Sequence, residues 1–319
     1  MLSRVADSLY WLSRYIERAE NNARILDVNI QLTLDSEHAG AAQERADWLP
    51  ILATLEDLAQ FDQQYDALNA ATVCEHLTFS PANPNSILSC VAAARENART
   101  VREYISSEMW ERINSLYLWL NSDAARELYR DSAIDLYRQI VDHSHQFNGT
   151  TDATLTQVEG WNFLQVGKFL ERADAASRII DLKYHILLPH GEQVGGTVDN
   201  VQWQAVLKSC SGFEAYQKLY TGVVSPASVA EFLILHESFP RSILFCVDHL
   251  DAALHRISGS ERTKFANPAE RLSGRLLSDI HYATVADIFA SGLHQWLDSL
   301  QLRLIEVGAT MRSQFCTWQ

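Results

Sequence analysis

The stretch RYIERAENNARILDVN at 14–29 decides the fold, because the chain uses it again as KFLERADAASRIIDLK at 168–183. At a constant separation of 154, Glu17, Arg18, Ala19, Arg24, Ile25 and Asp27 return as Glu171, Arg172, Ala173, Arg178, Ile179 and Asp181. Tyr15/Phe169, Ile16/Leu170, Glu20/Asp174 and Leu26/Ile180 change only conservatively. At roughly 100° per residue, Val5, Leu9, Leu12, Ile16, Ala19, Ala23, Leu26 and Ile30 fall on one arc, an ordinary core stripe. Arg14, Glu17, Arg18, Asn21 and Arg24 fall on the opposite arc, yet Tyr10, Trp11, Ile25 and Val28 share it. In the second copy Trp161, Leu164, Ile179 and Leu182 lie among Lys168, Glu171, Arg172 and Arg178. A solvated face has no use for large apolar side chains, so both faces are expected to pack, with the charges in or beside the interior. Buried charges must then be paired, since stranding one is strongly unfavourable. The plainer alternative is that Glu20 with Arg24, and Asp174 with Arg178, are i,i+4 acid-before-base pairs of the helix-surface kind.

A second block repeats in the same order. VCEHLTFSPANPNSILSCV (73–91) matches VAEFLILHESFPRSILFCV (229–247) at a separation of 156, with Val73/Val229, Glu75/Glu231, Leu77/Leu233, Pro84/Pro240, the Ser-Ile-Leu triplet, Cys90/Cys246 and Val91/Val247 coinciding. Trp48 and Trp203 are 155 apart. Such a period is far longer than the roughly 20–50 residues of solenoid repeats, so it indicates one duplicated unit and not an array. With only 13 Gly and 7 Pro, long helices are favoured over a turn-rich β protein. The expectation is an all-α helical bundle spanning 1–319 as one domain, built from two multi-helix units, 1–150 and 151–319, related by a pseudo-two-fold.

Along the chain the periodicity predicts a first helix over 3–35, a loop at SEHAGAAQER, and a short helix capped by Asp47 that carries Trp48 and tolerates Pro50 in its first turn. Short helices follow over 62–70 and 72–79, then a breaker at SPANPNS. One helix is expected from Asn85 or Ser86 through Ile105, another capped by Ser107, then two over 122–130 and 132–147, with QFNGTTDAT as the polar linker at the midpoint. The second half brings a helix over 156–188, a loop at HGEQVGGTVDN, and final helices over 268–282 and 285–314.

A formal net charge of −14 and a pI of about 5.2 argue against general binding to nucleic acid or anionic membranes. No run approaches the roughly 20 apolar residues of a membrane span. The five cysteines, Cys74, Cys90, Cys210, Cys246 and Cys316, show no metal spacing and suit buried thiols in a reducing cytoplasm.

MLSRVADSLYWLSRYIERAENNAR, NPNSILSCVAAARENARTVREYISSEMWERIN and FPRSILFCVDHL together resemble the bacterial alpha-E domain family, and the resemblance covers nearly the whole chain. It implies a context: members are commonly encoded beside, or fused to, a circularly permuted ATP-grasp protein, with a transglutaminase-like protein frequently near. Such neighbours imply a system that makes or handles amide bonds on peptides.

Arg95, Arg99 and Arg102, spaced four and three, form one stripe beside the apolar line of Ile87, Val91, Ala94, Ala98, Val101 and Ile105. Arginine forks suit anions and carboxylates, so the stripe is a candidate anion site, set against an internally paired charged face answered by Glu96, Glu103 and Glu108. The second copy has Asp251, His255 and Ser258 there. The other candidate binding residues are Arg14, Glu17, Arg18, Arg24, Glu171, Arg172 and Arg178. For a carboxylate-bridged metal centre the nearest pattern is Asp181 with His185 at i,i+4, but no Glu-x-x-His occurs and no metal is assigned. No P-loop, dinucleotide fingerprint or nucleophile elbow is present, so no cofactor is assigned and ATP chemistry is left to a partner. Two readings follow. The first is a non-catalytic helical subunit of an ATP-grasp amide-bond-forming system that binds a partner or an anionic peptide or amino-acid substrate. The alternative is an enzyme of the same pathway, with Glu17 or Glu171 as acid/base. A glutamate among arginines is held ionised, which makes it a poor proton donor, so the first is preferred.

Overall fold

The computed structural model describes residues 1–34, 41–187 and 197–316. These residues form an all-α structure of sixteen helices with no strand among them. In the first half the helices are α1 (Ser3–Leu34), α2 (Ala41–Thr54), α3 (Leu58–Phe61), α4 (Ala70–Phe79), α5 (Ile87–Thr100), α6 (Ser107–Leu120), α7 (Asp123–Asp131) and α8 (Ala133–Thr154). There follow α9 (Glu159–Leu187), α10 (Thr197–Ser209), α11 (Phe213–Leu219), α12 (Pro226–Ala230) running into a wider π turn at Glu231–Leu235, α13 (Ile243–Ser258), α14 (Pro268–His281), α15 (Val285–Ser291) and α16 (Leu293–Phe315).

Helices α1 and α9 pack against each other at the centre. Helix α1 is flanked by α5 and α8, and α9 by α13 and α16; α2 crosses onto α9, and α10 onto α1. Both faces of α1 are covered, as its apolar residues on both arcs require: Val5, Leu9, Leu12, Ile16 and Leu26 are buried on one side, Tyr10 and Ile25 on the other. The two central helices run in the same direction, since Met1 meets Glu159, Tyr10 meets Gly167 and Glu17 meets Arg172 in ascending order. Gly167 sets their separation. A Cβ there would lie 2.2 Å from the carbonyl oxygen of Tyr10, closer than any side-chain atom can sit.

Local sequence explains most helix starts. Ser86, Ser106, Ser122, Ser132, Ser225 and Ser242 each accept a backbone N–H of the first turn, and Asn69 forms a reciprocal capping box with Thr72. Glu56 and Ser211, 155 positions apart, both have positive φ, at 57° and 51°, where α2 and α10 give way to the next turn.

Some boundaries differ from expectation. Helix α2 begins at Ala41, so Asp47 lies inside it and is no cap, and the end of SEHAGAAQER is helical. Residues 62–69 are not helical, and the first short helix falls at 58–61 instead. The cap of α6 is Ser106, not Ser107. Helix α5 stops at Thr100, because the chain turns through Tyr104 N–H to Val101 O (2.8 Å) and Ser106 then restarts a helix. QFNGTTDAT is no linker: it forms the last turns of α8. The span expected as one helix over 285–314 is broken at Gly292, whose φ of 89° ends α15 before α16 begins. Of the loops expected at SEHAGAAQER and HGEQVGGTVDN, positions 36–40 and 190–196 lie outside the described residues, and 197–200 open α10.

Replacing Gly167 with Ala forces α1 and α9 apart. The expected loss is about 1–3 kcal/mol or more, read as a lower thermal midpoint. Gly149→Ala, on an exposed turn of α8 with nothing near its Cβ, is the control and should gain about 0.5–1 kcal/mol.

Candidate functional site

The charged arcs of α1 and α9 face each other and exchange partners. Glu171 accepts from Arg14 Nε at 2.6 Å and from Arg18 through Nε at 2.6 Å and Nη2 at 3.1 Å. In the opposite sense Glu17 accepts from Arg172 Nε at 3.0 Å and from its Nη2, and from Asn148 Nδ2 at 3.2 Å. Glu17 and Glu171 are 0% and 4% exposed. The carboxylates are therefore buried and answered across the helix pair, not along their own helix, and the arginine forks satisfy them bidentately.

The next turn adds a second layer. Glu20 is bonded by Arg24 Nε at 2.9 Å, by Ser144 Oγ at 2.6 Å and by Arg241. Arg24 also reaches Ser211. Asp174 is bonded by Arg178 Nε at 2.9 Å through Oδ2. Arg178 also donates to Glu56 at 2.9 Å and to the Thr54 carbonyl at 3.1 Å. The i,i+4 pairs expected from spacing are thus present, but as the inner edge of a larger network.

Burial and charge compete here, and charge prevails at Glu171. Burial alone pushes its carboxyl upward, but Arg14 and Arg18 hold it at about 2. Glu20 is likewise held well below the usual range: burial opposes, and Arg241, His145 and Arg24 overcome it. At Asp174 the balance reverses, and burial pushes its carboxyl up despite Arg178. Burial also raises the thiols of Cys90 and Cys246 to about 12, which makes them inert; each points at a proline carbonyl, Pro84 and Pro240.

Beside this network opens a cavity of about 220 Å³ lined by Arg14, Arg18, Asn21, Asn85, Asp174 and Arg178, with Glu56, Asp57 and Glu171 at its wall. Two buried polar atoms of its lining have no partner, Asp174 Oδ1 and Asn21 Nδ2. Four of the sequence candidates, Arg14, Arg18, Glu171 and Arg178, border it. Glu17, Arg172 and Arg24 belong to the companion centre, where Arg241 fills the space.

The arginine stripe lies elsewhere. Arg95 donates to Asn114 at 2.8 Å and sits over the rings of Tyr117 and Trp110. Arg99 pairs with Glu96 and is 68% exposed. Arg102, expected on the same helix, lies past the end of α5 and faces Ser107 and Trp110. None of the three lines the cavity. Asp251 and His255, their counterparts in sequence, are buried: Ser273 bonds Asp251 at 2.6 Å, and Ser260 links His255 to Glu270. Asp181 is bonded by His294 at 2.7 Å, while the His185 side chain lies outside the described residues.

Asn85, Asp174 and Arg241 were missing from the candidates read in sequence. A signal for them existed: Asn85/Arg241 is a charge-changing mismatch directly before the matched Ser-Ile-Leu triplet.

An all-α bundle whose centre is a crossed set of buried Glu–Arg pairs is thus the class of protein defined by fold and site. Residues 1–316 match the Alpha-E family, described as "a predicted alpha-helical domain with a conserved ER motif", and the chain belongs to that family. Glu17–Arg18 and Glu171–Arg172 are the two Glu-Arg dipeptides that meet at the centre. The chain is similar to an uncharacterised protein of Mycobacterium bovis, 25% identical over 93% of this chain, and to uncharacterised proteins of two Mycobacterium tuberculosis strains at 25% and 24%. It spans about a third (34%) of the length of these relatives. No solved structure matches it.

Glu171→Gln leaves Arg14 and Arg18 short of a buried counter-charge and should cost about 3–5 kcal/mol, measured by chemical denaturation at pH 7. The folded-state pKa of Glu171, about 2, lies below its ordinary 4.5. The stabilisation is therefore complete above pH ~4.5 and is lost as pH falls toward ~2. The gap in thermal midpoint between wild type and Glu171→Gln should accordingly shrink between pH 5 and pH 3.

Proposed function

We propose that this chain is a non-catalytic helical binding subunit of an ATP-grasp amide-bond-forming system, and that it holds a peptide or amino-acid ligand in the cavity beside the Glu–Arg centre. The observation that carries the binding part is the cavity itself. It is lined by charged side chains already fixed by partners, and two of its lining residues, Asp174 and Asn21, each hold a buried polar atom without a partner. A site whose side chains are locked before the ligand arrives loses little entropy on binding. The carboxylates argue against a catalytic role: Glu171 is held ionised far below neutrality and is a poor general acid. The ATP-grasp and transglutaminase-like partners come from the family resemblance, as does a cytoplasmic setting from the free thiols. The face that carries exposed Arg99 between half-buried Arg95 and Arg102 is the proposed place where an acidic segment of such a partner docks.

The reading also takes the chain as an internal duplication, 1–150 and 151–319. Its supports are the reciprocal Glu17–Arg172 and Glu171–Arg18 contacts, the paired positive-φ residues Glu56 and Ser211, the matching Cys90 and Cys246 thiols, and the recurring helix order.

Co-expression with a circularly permuted ATP-grasp protein encoded beside this chain should yield a complex that co-purifies. Arg99→Ala should weaken that complex while the free energy of unfolding stays within about 0.5 kcal/mol of wild type, as for an exposed surface site. Separate elution of the two proteins at micromolar concentration would remove the partner from the reading.

A further inference from the structure

The two charged centres differ at one decisive place. Asn85 and Arg241 occupy matching positions in the repeated blocks. Arg241 is a buried cation: its guanidinium crosses to Glu20 of α1 and donates to Asn21 Oδ1 at 3.3 Å. The matching space lies between Asn85, Asp174 and Ala175, where no arginine stands at the position of Arg241; all three residues line the cavity. Asn85 is too short to cross it and ends as an acceptor for Arg18, at 2.9 Å. Glu20 therefore has Arg24, Arg241 and Ser144, whereas its counterpart Asp174 has Arg178 alone, on Oδ2, and keeps Oδ1 buried without a partner. The surrounding charges run the same way. Where the companion centre has Ser211 and Gly212, the cavity wall has Glu56 and Asp57, so three arginines face four carboxylates around it. Burial raises the Asp174 carboxyl and Arg178 does not offset it, whereas at Glu20 Arg241 and Arg24 outweigh burial.

We infer that the cavity binds the guanidinium or ammonium group of an amino-acid-class ligand, which pairs with the Asp174 carboxylate in the place that Arg241 fills beside Glu20. The inference rests on reading the cavity as the ligand site and on the duplication proposed above. A carbonyl or carboxylate oxygen of the same ligand is met by the arginines of the lining, Arg14, Arg18 and Arg178. At about 220 Å³ the cavity is smaller than the roughly 300–1,000 Å³ of drug-sized sites, a fit for one side chain or one amino acid and not for a nucleotide.

The test is isothermal titration of the full chain with L-arginine, agmatine, methylguanidinium and L-lysine, with L-glutamate as control, and with a short peptide carrying an internal arginine. Saturable binding of at least one of these cations, with none of glutamate, is the expected result. Binding of the peptide but not of the free amino acids also supports the inference and assigns the source to a polypeptide. Asp174→Asn should weaken binding more than about tenfold. Asn85→Arg should abolish it and raise the thermal midpoint, because it installs the missing cation. Should that variant fail to fold, the wild-type titration and Asp174→Asn decide. Absence of binding by every cation, preference for glutamate, or affinity indifferent to Asp174→Asn overturns the inference. Co-purification with the ATP-grasp protein is read independently, so loss of the ligand class and loss of the partner are distinguishable.

Discussion

The structure depends on burying opposite charges between two helices that approach closely enough to exchange them. A glutamate in a protein interior is tolerated only when its charge and its lone pairs are both answered. Neither α1 nor α9 answers Glu17 or Glu171 from its own length; each needs an arginine of the other. The contact is therefore a statement of register. Sliding α9 by one residue along α1 would strand two carboxylates and three guanidinium groups at once, and it would drive some side chain into the Tyr10 carbonyl that only Gly167 can face. Hydrophobic packing around the pair supplies most of the stabilisation, since it is spread over both halves in one continuous core, but it is less particular about register than the charges are.

That arrangement also shapes the site. Because the glutamates consume the forks of Arg14, Arg18 and Arg172, those arginines are immobilised and become fixed walls. A cavity bordered by such walls keeps its form without a ligand. The same network that makes the centre rigid makes Glu171 a poor proton donor, because Arg14 and Arg18, which secure it, also lower its pKa. Rigidity and a fixed arrangement of charge are thus obtained together, at the expense of proton donation by Glu171.

The repeated blocks are alike in sequence, which makes their departures informative. Where both halves keep a feature, such as an arginine crossing to a glutamate or a thiol beneath a proline carbonyl, folding alone accounts for it. Where one half fills a space with Arg241 and the other leaves it to Asn85, folding does not require the difference, since the filled version shows that an internal solution exists. The Arg95 stripe also differs between halves, but it is answered locally by Asn114, Glu96 and aromatic rings on the surface.

The sequence by itself determined the all-helical class, the central place of the two repeated helices and the burial of their charged arcs. These follow from periodicity: apolar residues on both sides of a helix leave it no solvated face, and repeated Glu-Arg dipeptides on those sides must then be paired. The start of α5 at Ser86 was legible for the same local reason, while the cap read at Ser107 falls one residue earlier, at Ser106. The ends of helices were less so. Gly292, Val101 and the Gln146–Thr154 stretch are decided by turn geometry and by what packs above them, which spacing along a chain does not encode. Only the tertiary structure decided which carboxylate each arginine meets. Spacing named the i,i+4 partners Glu20 and Asp174, and the fold added Glu171, Glu17 and Glu56 from across the bundle. The cavity belongs to the tertiary structure altogether, because it is the space between side chains of five separate segments. Whether such a space is filled depends on the reach of one side chain across it, long at Arg241 and short at Asn85.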